Sequence, residues 1–319
     1  MDQIQNEIRR ARYAKALSFY KLATLILTIS TAILAAVSFA TKMNGSTRFL
    51  QASSAAVITL YVLIASSAII ALSSLFIFKS GYKIASGVKP VSYLAALPGL
   101  ASLAILASSF PEFAKDTDDI LTMLVALAAF FSLLHFLSHI INIGKSLALI
   151  SAYLTIIFCF FIIAKLHFDF AIEMNAPAKL AIQFAAGASA FSILSDIRNV
   201  IDRPSPAQFV FAKTCTPVFS ALCAAAAFTE VLENAARYGA YYILFPVFFA
   251  AYAIYSLANF FTAEITEFTP INEDDPEDPS PKGNAASDTE QGESGESESV
   301  SEEVTDSIAP ETESDSTHI

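Results

Sequence analysis

The sequence predicts an all-α integral membrane protein, an eight-helix transmembrane bundle with a disordered acidic C-terminal tail. Three observations point there. Of 319 residues 55% are hydrophobic and 15% charged, against about 25% charged in an ordinary soluble domain. Mean hydropathy is +0.54, and the apolar residues fall in long uninterrupted runs rather than short alternations. The net charge of −11 averages two unlike parts: residues 1–263 carry +6 and residues 264–319 carry −17. A basic body and an acidic appendage meet near residue 264.

The elements follow in chain order. Residues 1–16 hold Arg9, Arg10, Arg12 and Lys15, with Ile4, Ile8 and Ala11 on one stripe. This pattern predicts a short amphipathic helix lying on the cytoplasmic membrane surface. A bilayer core about 30 Å thick needs roughly 20 mostly apolar residues per helix. The runs 17–40, 55–78, 91–110, 120–143, 147–164, 180–194, 209–228 and 240–261 meet or approach that length, giving a transmembrane domain over 17–263. The first run exceeds the h-region of a signal peptide and reads as a retained span. The sixth is the shortest, with sixteen residues between Lys179 and Asp196. It spans if its flanking charges snorkel and the bilayer thins.

Orientation follows from lysine and arginine in the short loops. The side holding the N-terminal arm and the even-numbered loops carries twelve of them and the other side six. Both termini are therefore expected in the cytoplasm, in a plasma or inner membrane. On the outer side Asn44-Gly45-Ser46 forms a glycosylation sequon.

The halves resemble one another. A shift of 118 lays Phe110 on Phe228, Glu112 on Glu230, Phe130-Phe131 on Phe248-Phe249 and Ser138 on Ser256. Lys89-Pro90 resembles Arg203-Pro204, each just ahead of a span, where proline's missing N–H costs nothing. A repeat of four spans plus four would make the halves parallel and place a ligand site between them.

Within the spans, no Asp, Glu or Arg is expected near mid-membrane. Lys213 lies seven residues into the seventh run and is expected to snorkel toward the headgroups, the alternative being a paired charge. Thr216, beside it in "KTCTP", offers a hydroxyl next to the helix-interrupting Pro217. His135 and His139, four apart in "LLHFLSHIIN", stand one turn apart on a helix, His135 toward mid-membrane and His139 near the interface. A buried neutral imidazole bonded to a serine or carbonyl accounts for His135. A metal would need further ligands, for which Asp196, Asn142 and Cys159 offer loose candidates. The ligand-facing candidates are thus His135, His139, Lys213 and Thr216, with no cofactor and no metal expected.

Cys159, Cys215 and Cys223 sit in apolar runs and form no Cys-x-x-Cys pair. Phosphate-loop, nucleophile-elbow, zincin and dinucleotide motifs are absent from the sequence, so no enzyme is expected. Small residues at three- and four-residue spacing (66–74, 100–109, 185–192, 220–228) support close helix packing, within the chain or with a protein partner or second copy. The tail has too few large apolar residues to offset its chain entropy. The expected partners are the bilayer and other proteins, not nucleic acid. The leading functional expectation is a non-enzymatic scaffold or accessory component. The alternative is a transporter or permease for a small, weakly polar solute bound between the halves.

Overall fold

A computed structural model of the chain describes residues 2–43, 49–78, 82–85, 89–115, 119–141, 143–170, 176–233 and 241–267. The chain divides into two compact units, Met1–Pro270 and Ile271–Ile319, and every described residue belongs to the first. The acidic tail beyond residue 267, the sequon at 44–46, Asn142 and the side chain of Glu230 lie outside the described residues.

Among the described residues eight helices are long and apolar enough to cross a membrane, and each coincides with a run read from the sequence. They belong to α1 (Asp2–Lys42), α2 (Ala55–Ile77), α4 (Ala96–Lys115), α5 (Ile120–Ser138), α6 (Lys145–Phe168), α7 (Pro177–Val200), α8 (Pro206–Glu233) and α9 (Tyr241–Thr262). The third span begins before α4, in a short helix α3 (Lys89–Ser92) and a 3₁₀ turn at Tyr93–Ala95. Pro98 explains that tightening: it has no N–H to give the carbonyl of Leu94, so the chain enters the span in a narrower winding. The sixth span is longer than its apolar run, because Lys179 and Asp196 both lie inside α7 and are held by partners. Its 24 residues make a rod of about 36 Å, enough to cross.

The N-terminal arm is not a separate surface helix. It is collinear with the first span in one 41-residue helix. Tyr13 stacks on Phe78 and meets the edge of Tyr82, which binds the arm to the end of the bundle while Arg9, Arg10 and Arg12 stay exposed. The body also departs from all-α. A strand β1 (Tyr82–Ala85) pairs antiparallel with β2 (Glu264–Glu267), Lys83 opposite Thr266 and Ile84 opposite Ile265. Residues 264–267 thus belong to the body.

Helices α4 to α9 form a ring in chain order, each against the next, closed by α9 on α4. α1 and α2 pack on each other and on α8 from outside the ring. Burial tracks this placement: 67% of the α8 span is buried but only 22% of α2, whose exposed Ile58, Val62, Ile69 and Phe76 present the apolar surface a bilayer requires. The small residues are spent inside the chain. Ala185, Ala186, Ser189, Ala190 and Ser192 of α7 are buried, as are Ser220, Cys223, Ala226 and Ala227 of α8, and these two helices pack closely. The neighbour sets of the two halves differ: the seventh span packs on the first, second, sixth and eighth, whereas the third packs on the fourth and eighth.

Candidate functional site

The site is built where three helices bring polar groups to one buried point. On α7, Ser192 and Asp196 stand one turn apart on the same face. On α8, Lys213 is fully buried rather than snorkelling. Its Nζ donates to Asp196 Oδ2 at 2.7 Å and to Ser192 Oγ at 3.0 Å. From α9, Tyr252 donates its hydroxyl to the same Ser192 Oγ at 3.0 Å. The Phe209 ring lies 5.4 Å from the ammonium, within cation–π range. An ammonium out of water is tolerated only when paired and hydrogen-bonded, and here its partners come from the neighbouring helix.

The pair is lopsided. The Lys213 side chain is 0% exposed and that of Asp196 26%. Asp196 reaches a cavity of about 510 Å³ at the end of the bundle, which His139, Tyr255, Asn199 and Asn259 also line, with Lys83, Lys145 and Asp202 around it. Pieces of both halves meet here: β1 and α3 from the first, the end of α5, then α6, α7 and α9 from the second. The α7–α8 turn is fixed beside it. Arg198 Nη1 donates to Gln208 Oε1 at 2.7 Å, and Lys83 Nζ donates to Asp202 Oδ1 at 2.9 Å. That bond holds the Asp202 carboxyl below its ordinary pKa, although the residue stays exposed. Lys21 donates to the carbonyls of Phe261 and Ala263, securing the end of α9 above β2.

The four residues singled out by sequence separate into distinct places. His139, the α5 C-cap, is exposed in the cavity, its ring 5.6 Å from that of Tyr255. His135 is buried behind it, with the two imidazoles 5.0 Å apart. The expected bond to a neighbouring serine or carbonyl is not there: His135 Nδ1 is buried with no hydrogen-bond partner, and Ser138 Oγ instead donates to the His135 carbonyl. Thr216 faces away from the cavity, donating to the carbonyls of Ala188 and Ala212, and so ties α8 to α7. Among the described residues no three His, Cys, Asp or Glu side chains group as metal ligands.

Sequence reading named Asp196 only as a loose metal ligand, not as the partner of Lys213, and missed Ser192, Tyr252, Tyr255, Asn199 and Asn259 as site residues. The signal existed as spacing: 192, 196 and 199 on α7, and 252, 255 and 259 on α9, are polar stripes at helical period. Asp196 was masked by its position, because an acid at the edge of an apolar run reads as the end of the span.

Deeper in the bundle aromatic rings pack together. Phe136 meets Phe248 and Tyr252 at 6.0 and 5.8 Å, and Phe158 meets Phe248 at 5.3 Å. At the opposite end Asp119 caps α5, accepting from Thr122 N and Oγ1, and takes the ammonium of Lys165 from the last turn of α6. Neither the protein-family models, nor the curated proteins, nor the solved structures contain a match to this chain.

Proposed function

We propose that the chain is a permease for a small polar solute, which enters the cavity beside Asp196 and His139 from the cytoplasm. The observation that carries this reading is the cavity itself, water-accessible at its mouth and ending on an ion pair whose lysine is fully buried. A scaffold needs no such arrangement. A buried ion pair adds little to stability over apolar packing, and ionisable groups inside a membrane mark solute or ion pathways by default. The cavity is about 510 Å³, within the range of roughly 300–1,000 Å³ typical of small-molecule sites. The aromatic contacts among Phe136, Phe158 and Phe248 close it toward the other side, as expected of a carrier facing one compartment. The excess of basic residues in the loops on the side of the termini supports a cytoplasmic placement of both termini, on which the described conformation faces inward in a plasma or inner membrane.

The test is uptake into proteoliposomes holding the purified chain, against a panel of labelled small solutes. Asn199→Trp fills the cavity and leaves both members of the ion pair in the chain. Saturable uptake that Asn199→Trp removes, at an unchanged melting temperature, supports a permease. Absence of uptake across the panel, or uptake indifferent to this variant, returns the chain to the scaffold reading.

A further inference from the structure

We infer that the solute of this cavity is a small organic carboxylate, with Lys213 as its anchor and Asp196 as the group it replaces. The inference rests on the permease reading and names its substrate class. The cavity is lined by two carboxylates and two lysines, Asp196, Asp202, Lys83 and Lys145, with the imidazole of His139 beside them. Lys83 already matches Asp202, and Lys213, behind the wall, matches Asp196. Lys145 and His139 come on top, so among the described residues positive and hydrogen-donating groups exceed the acids. Asn199, Asn259 and Tyr255 add donors to the same wall.

The burial of the pair decides which partner a solute displaces. A cationic solute that took over Asp196 would leave Lys213, whose side chain is wholly buried, without its counter-charge. Leaving it unpaired is the costliest outcome available. A carboxylate solute frees Asp196 instead, which is already 26% exposed and needs only a side-chain rotation to be hydrated in the cavity. Exchange of one carboxylate for another on the same ammonium leaves the buried charge paired throughout. Ser192, which accepts from both Lys213 and Tyr252, keeps the ammonium in place during the exchange.

The test is calorimetric titration of the full chain in lipid nanodiscs with propionate, propionamide and propylammonium. Propionate should bind saturably and the other two at least tenfold more weakly, the scale of one charge-assisted hydrogen bond. Lys213→Met alone endangers folding, so the informative variant is Lys213→Met with Asp196→Asn, which removes both charges. It should melt near the parent and lose propionate affinity by tenfold or more. Propylammonium binding with propionate silent would make Asp196 the anchor and overturn the inference. So would equal binding of amide and acid, or affinity surviving the double variant. If no propionate binds while proteoliposomes take up another solute, the carboxylate class is wrong and the permease stands. If neither occurs, both readings fall.

Discussion

Two lysine–aspartate pairs stand at opposite ends of the bundle and have the same chemistry in different settings. At one end Lys165 and Asp119 join consecutive helices, with both side chains about a quarter exposed, at 21% and 26%. Asp119 is occupied as a helix cap, and its pair with Lys165 fastens a turn. At the other end Lys213 and Asp196 join α7 to α8 with the lysine wholly buried, Tyr252 of α9 shares their serine, and the acid faces a cavity. Burial, not the identity of the groups, separates a fastening from a site. In water such a pair is nearly neutral in free energy, whereas inside the bundle each member depends on the other.

Single substitutions should expose that difference, and the largest effect should come from Asp196→Ala. It strands the buried Lys213 without its counter-charge, at a cost of about 3–5 kcal/mol. Lys213→Met should cost less, because Asp196 can hydrate. Lys165→Met should cost no more than about 1 kcal/mol, as for exposed pairs. Asp119→Ala should fall between, losing a cap worth about 1 kcal/mol. Burial alone would raise the Asp119 carboxyl, but hydrogen bonds from Lys165 and Thr122 outweigh it and hold the group below its ordinary value. Its contribution is therefore present above about pH 4 and lost as pH falls through the lowered value. Melting curves of the four variants in nanodiscs at pH 7 and pH 3 check the order. Equal losses at the two ends would dissolve the distinction.

The histidines divide along the same line. His135 is buried with an unsatisfied nitrogen, so removing its polarity should help or cost little: His135→Phe is expected to keep or raise the melting temperature. His139 lines the cavity, and His139→Ala should leave stability within about 0.5 kcal/mol, as at exposed sites, while changing solute binding. The sequence led us to expect the larger consequence at His135. A fall in melting temperature with His135→Phe would show that its imidazole has a structural partner after all.

How far the sequence carries can be judged at particular residues. All eight spans were legible, because long apolar runs have no other stable solution in a bilayer. α7 was read short, since Lys179 and Asp196 look like ends until tertiary partners neutralise them. Lys213 was picked out as a charge within a span but expected to snorkel, where it is paired. Snorkelling needs only its own helix, whereas pairing needs Ser192 and Asp196 to arrive from 21 and 17 positions away. The β1–β2 ladder left no usable signal, because four-residue strands joined across 183 positions show no local period. The site was legible as depth and residue type, and hidden wherever it depended on which helices meet.

The smallest expected effect concerns access to the cavity. β1 carries Lys83 and Ile84 along the cavity wall, and β2 holds β1 in place, with Thr266 Oγ1 donating to the Lys83 carbonyl at 3.0 Å. The Lys83–Asp202 bond then pins this ladder to the α7–α8 turn. Both groups are well exposed, so the bond is a light fastening whose loss should change how often the mouth opens without changing the melting temperature. The native cysteines, Cys159, Cys215 and Cys223, are buried, so Asn259→Cys supplies a reporter inside the cavity for a membrane-impermeant thiol reagent applied from the side on which the cavity opens. Lys83→Ala should speed its labelling a few-fold. Acid should do the same in the Lys83 parent, where the Asp202 carboxyl gives up the bond as pH falls through its lowered value. A rate indifferent to both would place the restriction deeper, at the ring contacts of Phe136, and make the cavity mouth as rigid as the opposite end.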